Sequence, residues 1–144
     1  MAEAPSSLEL PQSSTTGPII KAFFDVFNEL GYGFSEVVYR RALVIVLRAA
    51  GLEVAQEVSL NVRFRGALIG TFRADAIVNG VVLVEVKAAA AIESYAEAQT
   101  LNYLKAAGGG VGLLLNFGRQ ATFKRLVMGD PTNSLPFLNP SAEL

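Results

Sequence analysis

The most constraining feature of this sequence is the stretch Arg73 to Lys87, RADAIVNGVVLVEVK, which predicts a β-hairpin. Two runs of strand-forming residues flank Asn79-Gly80, and an Asn-Gly pair in that position is a strong hairpin signal. The hairpin also carries Asp75, Glu85 and Lys87, charged residues that a packed sheet normally excludes. Glu85 and Lys87 lie two residues apart on one strand, so we expect their side chains to share a face.

The length of the turn decides whether Asp75 joins that face. A two-residue loop at Asn79-Gly80 places Asp75 on the other face, whereas a three-residue loop over residues 78–80 places it opposite Leu83. Both loops are common in hairpins. The longer loop puts Asp75 on the same face as Glu85, and we therefore predict it. It also leaves one apolar face, which consists of Ala74, Ala76, Val82, Val84 and Val86.

Two carboxylates and a lysine on one face have the chemistry of a divalent-metal phosphodiester site. Carboxylate oxygens bind hard cations such as magnesium, and a bound metal lowers the pKa of its water and neutralises phosphate charge. A lysine orients that water or stabilises the charge that develops in the transition state. The alternative is a structural ion pair in the sheet, formed by Lys87 with Glu85 or Asp75.

Composition excludes several other kinds of site. The 144 residues contain no His and no Cys, so histidine metal sites, Ser-His and Cys-His catalysis and thiolate sites are all excluded. The net charge is −1. The segments 1–17 and 129–144 hold four of the 13 acidic residues and none of the 12 basic ones, so residues 18–128 have a net charge of +3. This distribution favours a phosphate-containing partner such as nucleic acid.

The sequence is also unusually apolar. Hydrophobic residues make up 51% and charged residues 17%, against about 25% charged residues in typical soluble domains. A small domain does not bury all of this surface alone, so we expect self-association through apolar surface and through the segments Leu8–Leu10 and Pro136–Leu138. No apolar run reaches the roughly 20 residues of a membrane span, and the N-terminus lacks the features of a secretory signal. We therefore expect a cytoplasmic protein.

The chain divides into a flexible N-terminal arm at 1–17, one domain at 18–128 and a C-terminal tail at 129–144. Hydrophobic periodicity and turn residues predict the element order ααβββαββ, an α/β (α+β) fold with a mixed central sheet flanked by helices. The predicted elements are a helix from Pro18 to Leu30, a helix from Glu36 to Ala50, strand-like segments over 52–66 and 67–78, the second hairpin strand, a helix over 88–107 led by Ile92 to Ser94, and strands at 111–117 and 121–128.

Four motifs along the chain match a known family in order and spacing. They are Gly33-Phe34-Ser35-Glu36-Val37-Val38-Tyr39, Asp75 followed after nine residues by Glu85-Val86-Lys87, Gln99-Thr100-Leu101-Asn102-Tyr103, and the segment GLLLNFG from Gly112 to Gly118. Over roughly residues 19–128 the chain resembles the GxxExxY family, a branch of the PD-(D/E)xK nuclease superfamily. The resemblance implies a restriction-endonuclease-like core with a central hairpin that carries a metal site.

Several site residues follow from this resemblance. Asp75 and Glu85 correspond to ligands of Mg²⁺ or Mn²⁺, helped by the main-chain carbonyl of Val86. Lys87 corresponds to the catalytic lysine. The proline of the superfamily motif is Ala74 here, which removes no metal ligand.

The two helices contribute the remaining candidates. The resemblance implies that Glu36 adds a ligand or orients a water, and that Gln99 and Tyr103 steady the site or contact the phosphate. Glu36 is also an acid in a first helical turn, where the helix dipole favours it. The structural alternatives are a hydrogen-bonded buried amide for Gln99 and a core aromatic with a bonded hydroxyl for Tyr103. A His often found three residues before the glutamine is replaced by Ala96.

Two functional hypotheses remain. The first is a magnesium-dependent nuclease that hydrolyses phosphodiester bonds of DNA or RNA. The second is a non-catalytic, self-assembling structural protein on the same fold, as a dimer, ring or filament. Head-to-tail contacts that do not close into a ring produce filaments.

Overall fold

The computed structural model describes residues 10–135, and their element order confirms the predicted ααβββαββ arrangement. A mixed five-stranded sheet is flanked by helices, as in restriction-endonuclease-like folds. The elements are α1 (Ser13–Leu30), α2 (Glu36–Ala49), β1 (Val54–Phe64), β2 (Ala67–Val78), β3 (Val82–Lys87), α3 (Ser94–Ala106), β4 (Gly109–Phe117) and β5 (Ala121–Gly129). Among these residues, no helix is long and apolar enough to cross a membrane.

The strands lie in the order β1-β2-β3-β4-β5. The pair β3–β4 is parallel and the other pairs are antiparallel, because α3 returns the chain across the sheet between β3 and β4. Every residue of β4 is buried, as expected of a largely apolar strand inside a sheet. At Gly112 a Cβ atom would lie 3.1 Å from the Thr100 side chain, so glycine lets α3 pack closely on β4.

The two faces of the sheet are covered by different helices. The helices α1 and α2 pack on one face and bury Phe23, Tyr39 and Leu43 against Val84 and the end of β4. The single helix α3 covers the other face and forms a smaller core. That core contains Val58, Leu60, Ala74, Ile77, Leu83, Tyr103, Leu104 and Leu135.

The hairpin turn has the predicted length but is displaced by one residue. Val78 pairs with Val82, so the three-residue loop consists of residues 79–81 and not residues 78–80. Asn79 and Gly80 both have left-handed backbone conformations, with φ of 53° and 68°. Asparagine and glycine are the residues that adopt this conformation most readily.

This displacement changes the register of the whole hairpin. Leu83 pairs with Ile77, so the expectation that Asp75 lies opposite Leu83 is wrong. The cause is a contact outside the hairpin. The Asn79 N–H donates to the Glu53 carbonyl at 2.8 Å, and the Asn79 side-chain oxygen accepts the Glu53 N–H at 2.9 Å. Asn79 is thereby fixed in the turn by the chain that enters β1.

The first helix begins earlier than the sequence predicted. It starts at Ser13, whereas the sequence favoured Pro18 as the first turn. Thr15 and Thr16 are buried in this added turn, and the Arg125 side chain donates to the main-chain carbonyl of Pro11 just before it. These tertiary contacts hold in a helix a segment that composition alone placed in a flexible arm. Of the two apolar tail segments proposed above, residues 8 and 9 of the first and all of Pro136–Leu138 lie outside the described residues.

The third helix begins at Ser94, so the prediction of a helix over 88–107 is wrong for residues 88–93, which form a loop. A buried side chain in β4 holds this loop. The Asn116 amide accepts the Ala89 N–H at 2.9 Å and donates to the Ala89 carbonyl at 3.0 Å. The loop therefore leaves the end of β3 in a fixed direction.

Candidate active site

The candidate site lies where β2 and β3 separate. Their pairing ends at Ala76 and Val84, and side chains take over the next backbone hydrogen bonds. The Asp75 N–H donates to the Glu85 carboxylate at 3.1 Å, and the Val86 N–H donates to the Asp75 carboxylate at 2.8 Å. The two carboxylates are thus held at one point by reciprocal bonds, and not by the diagonal pairing that the sequence predicted.

In β2 the alternation of side chains between the two faces of the sheet is broken at Asp75. Residues on either side of Asp75 pair with β1, but Asp75 and Glu57 do not pair, and Glu57 has a left-handed φ of 51°. As a consequence Ala74 packs on the α3 face while Ala76 packs on the α1–α2 face. The prediction that Ala74 shares the apolar face of Ala76 is therefore wrong, because an irregularity breaks the alternation.

The electrostatics of the site centre on Glu85. Burial, and then the charge of the neighbouring Asp75 carboxylate, raise the pKa of Glu85 to about 8. The hydrogen bond from Asp75 and the charge of Lys87 oppose this rise, and Glu36 adds a smaller repulsion. The raised pKa is the expected result of burying a carboxyl group and placing a second carboxylate close to it.

A cavity of about 190 Å³ opens on the α3 face of this point. It brings together Glu85, Lys87, Gln99 and Tyr103, residues that the sequence placed on two separate elements. Phe72, Arg73, Leu83 and Thr100 complete its wall. The ammonium of Lys87 forms no ion pair with any residue between 10 and 135. It is therefore available to a negatively charged ligand in the cavity.

Neither Tyr103 nor Gln99 has the purely structural role considered above, which was a hydrogen-bonded core hydroxyl for Tyr103 and a buried amide for Gln99. The ring of Tyr103 is buried with its centroid 6.3 Å from that of Phe72, but its hydroxyl is buried without a hydrogen-bond partner in the described part of the chain. Burial, and then the charge of Glu85, raise the pKa of Tyr103 to about 12. Gln99 is exposed at the cavity wall and is not a buried amide. Gln99 is thus open to a ligand, and Tyr103 lines the same cavity with a hydroxyl that forms no hydrogen bond within residues 10–135.

Glu36 lies at the edge of this arrangement. It is the exposed first residue of α2. It lies near enough to contribute to the raised pKa of Glu85 but is not part of the cavity wall. Within residues 10–135, no cluster of three or more Asp, Glu, His or Cys side chains has the geometry of a metal site. The role of Glu36 as a third ligand therefore stays a prediction.

The motif that begins at Gly33 has a structural explanation. Gly33 has a φ of 116°, a conformation that side chains disfavour. The Tyr39 hydroxyl donates to the Gly31 carbonyl at 2.5 Å and accepts the Phe34 N–H at 3.2 Å. Glycine and tyrosine together fix the loop between α1 and α2, and this loop places Glu36 at the start of α2.

Two residues of the site were missed by the sequence reasoning. The Arg40 guanidinium lies 3.4 Å from the Asp75 carboxylate, and both side chains are largely buried. Its position four residues after Glu36, on the same helix face, was an available signal. Asn116 orders the loop after Lys87, and its signal was a single amide within an apolar strand.

The chain is similar to a known protein family and to a solved structure. A model of the PD-(D/E)XK nuclease superfamily matches residues 13–126. The chain belongs to this superfamily. Among solved structures, the crystal structure of SSO0001 is similar over 82% of this chain, with a TM-score of 0.52 and 16% identity. The match covers 60% of the SSO0001 chain, and at this identity the likeness shows the fold alone. No curated protein matches this sequence.

Nucleases of the PD-(D/E)XK superfamily generally use divalent metals, and the donors present here suit such an ion. Mg²⁺ is usually held by one or two carboxylates and keeps several waters, so the pair Asp75 and Glu85 is sufficient in number and chemistry. A cation between them would relieve the repulsion that raises the pKa of Glu85. Among residues 10–135, the Tyr103 hydroxyl has no hydrogen-bond partner, and it is a further polar group in the cavity wall.

Proposed function

We propose that this protein is a metal-dependent nuclease that hydrolyses phosphodiester bonds of nucleic acid. The observation that carries the proposal is the separation of β2 from β3, which holds Asp75 and Glu85 together beside the cavity that contains Lys87. Membership of the PD-(D/E)XK superfamily supports the same chemistry.

The carboxylates of Asp75 and Glu85, with the main-chain carbonyl of Val86, would hold one Mg²⁺ or Mn²⁺ ion. When bound, the ion supplies an acidified water and neutralises phosphate charge. Until then, Arg40 provides the positive charge beside Asp75, and the proton on Glu85 limits the repulsion between the two acids. Binding of the ion therefore requires Glu85 to release its proton.

The other side chains act on the phosphate and the water. The Lys87 ammonium orients the attacking water or stabilises the negative charge that develops on the phosphate. The Gln99 amide and the Tyr103 hydroxyl donate hydrogen bonds to phosphate oxygens from the opposite wall of the cavity. Glu36 orients a second water at the mouth of the site.

Calorimetric titration with Mn²⁺ and a cleavage assay on labelled DNA and RNA test this function together. We expect the wild type to bind Mn²⁺ and to cleave only when metal is present. Asp75→Ala should lose both properties. Lys87→Ala should keep metal binding but cleave about 10²–10³-fold more slowly, since it removes one stabilising group from the transition state.

Lys21→Ala is the matched control, because Lys21 is exposed on α1 and pairs only with Asp25 at 3.0 Å. This variant should cleave like the wild type. Equal product from the wild type, Asp75→Ala and Lys87→Ala would contradict the proposal, because the activity would then come from a contaminant or from another site.

Within the superfamily, we propose the GxxExxY branch as the closer relationship. The support is the role of its eponymous residues, since Gly33 and Tyr39 shape the loop that presents Glu36. Tyr39→Leu should therefore reduce cleavage as well as stability, whereas a substitution at exposed Val38 should change neither by more than a small amount. Normal cleavage by a folded Tyr39→Leu protein would argue against this role.

We also propose self-association, because the described surface exposes many large apolar side chains. Ile45 is 69% exposed and Tyr95 is 72% exposed, and they lie on different elements of the fold. Sedimentation velocity over a wide concentration range tests this proposal. A single monomeric species at the highest concentration would exclude it without affecting the nuclease proposal.

A further inference from the structure

A ribbon of the first two strands projects from the sheet next to the candidate site. We call residues 58–74 the β1–β2 ribbon. Its strands pair with each other as far as Phe64 and Ala67, whereas β3 pairs with β2 only between Ala76 and Val78. On the N-terminal side of Asp75, the edge of β2 that faces away from β1 has no strand partner among residues 10–135.

The charged side chains of this ribbon are all positive. It contains Arg63, Arg65 and Arg73 and no acidic residue, in a chain whose net charge is −1. Across a groove of about 540 Å³, the C-terminal half of α3 contributes Lys105 and Asn102. No acidic side chain from the described residues lines this groove. A groove of cationic and neutral polar groups attracts phosphates and repels acidic protein surfaces.

The apolar side chains of the ribbon indicate which form of nucleic acid fits. Phe64, Leu68 and Ile69 are 58%, 53% and 64% exposed, and Phe64 and Ile69 line the groove. The bases of a duplex are stacked on each other, so a duplex offers these side chains mainly sugars and phosphates. An unpaired strand offers base faces, which stack on aromatic side chains with little regard to sequence.

The groove is continuous with the candidate site. Phe72 lines both the groove and the cavity that contains Glu85 and Lys87, and Arg73 lines the cavity beside it. A strand in the groove would therefore be directed towards the two carboxylates. The salt bridge of Arg73 with Glu57, at 3.5 Å, is exposed and easily exchanged for a phosphate contact.

We propose that the groove between the β1–β2 ribbon and α3 binds the single-stranded flank of the nucleic acid substrate. Arg63, Arg65 and Lys105 contact its phosphates, and Phe64 stacks on an unpaired base. This assignment rests on the proposed nuclease function and adds the binding surface and the strandedness of the substrate.

Fluorescence anisotropy with a labelled single-stranded oligonucleotide and its duplex tests the proposal in EDTA, where metal-dependent cleavage does not interfere. We expect the single strand to bind at least tenfold more tightly than the duplex at the same salt concentration. Lys105→Gln should weaken binding about threefold to tenfold and reduce the salt slope by about one. Arg63→Gln/Arg65→Gln should have a larger effect of the same kind.

Phe64→Ala separates stacking from charge. It should weaken binding of the single strand by about tenfold while leaving the salt slope unchanged. Lys21→Gln, on the opposite face of the sheet, is the matched control for Lys105→Gln and should bind like the wild type. Thermal unfolding of each variant checks that the exposed substitutions leave the fold intact.

The outcomes separate this inference from the proposed function. If the ribbon and Lys105 variants bind and cleave like the wild type, the groove is not the binding surface and the nuclease proposal stands. Tighter binding of the duplex than of the single strand would also overturn the inference. If the ribbon variants instead change only the oligomeric state, the ribbon is an interface between copies of the chain. If the wild type neither binds nor cleaves nucleic acid, both proposals fail.

Discussion

The two faces of the sheet differ in how completely they are filled. On the α1–α2 face, Phe23 is fully buried, and its ring meets the Phe117 ring edge-to-face with centroids 4.8 Å apart. The Tyr39 ring stacks on Phe117 at 4.2 Å, and its hydroxyl is fully bonded. On the α3 face, the Tyr103 hydroxyl is buried without a hydrogen-bond partner among residues 10–135, and a cavity remains beside Glu85.

This difference assigns stability to one face and chemistry to the other. A buried polar group without a partner and a carboxyl with a raised pKa both cost folding free energy. The well-packed α1–α2 face offsets that cost. The candidate site therefore lies where the protein tolerates unsatisfied groups, a common property of functional sites.

The largest expected effect tests the filled face. Phe23→Ala should lower the free energy of unfolding by about 3–5 kcal/mol, because it removes a fully buried ring and leaves a cavity. Urea denaturation measures the change. Phe24→Ala is the matched control, since Phe24 is 36% exposed and should cost about 1 kcal/mol. Similar losses for the two variants would show that this face is not tightly packed.

The second prediction concerns pH and the open face. Between pH 4.5 and about 8, folded Glu85 keeps a proton that the unfolded chain releases, so metal-free stability should fall as pH rises through this range. Glu85→Gln has no such proton. It should match the wild type near pH 5 and be more stable by roughly 1–3 kcal/mol near pH 8.5, since one pKa unit corresponds to 1.36 kcal/mol.

Urea denaturation in EDTA at several pH values measures this difference. Glu29→Gln, an exposed substitution on α1, controls for the loss of one negative charge. If the gap between wild type and Glu85→Gln stays constant with pH, the carboxyl of Glu85 is not perturbed by its surroundings. The two faces would then differ in packing but not in the electrostatics of a buried carboxyl group.

The smallest expected effects compare two tyrosines directly. Tyr39→Phe should cost about 1–2 kcal/mol, because it leaves the Gly31 carbonyl and the Phe34 N–H without a partner. Tyr103→Phe removes a hydroxyl that has no hydrogen-bond partner in the part of the chain that the structure describes, so stability should stay within about 0.5 kcal/mol or rise slightly. Chemical denaturation of the pair measures both. Equal losses would mean that the Tyr103 hydroxyl is satisfied in solution.

Much of the fold was predictable because it depends on short-range patterns. Alternation and periodicity predicted the element order, and the spacing of Glu85 and Lys87 placed them on one face, where the cavity now contains both. Helix spacing likewise related Gln99 to Tyr103, and both line that cavity. These inferences held because strand and helix periods are set by the backbone itself.

The incorrect predictions concern positions where contacts with distant segments of the chain determine the local conformation. Glu53 holds Asn79 and moves the turn by one residue, and the irregularity opposite Glu57 sends Ala74 to the other face. Arg40 reaches Asp75 from a helix 35 residues earlier in the chain. No pattern within the hairpin contains these contacts.

The sequence by itself determined the elements, the absence of histidine and cysteine chemistry, and the residue types available for a metal site. Only the tertiary structure decided how Asp75 and Glu85 meet, which positively charged side chain lies beside these carboxylates, and which face of the sheet keeps a cavity. The physical reason is that the strands separate at Asp75, where side chains replace the backbone ladder. That exchange depends on groups brought together by folding and not on neighbours in the chain.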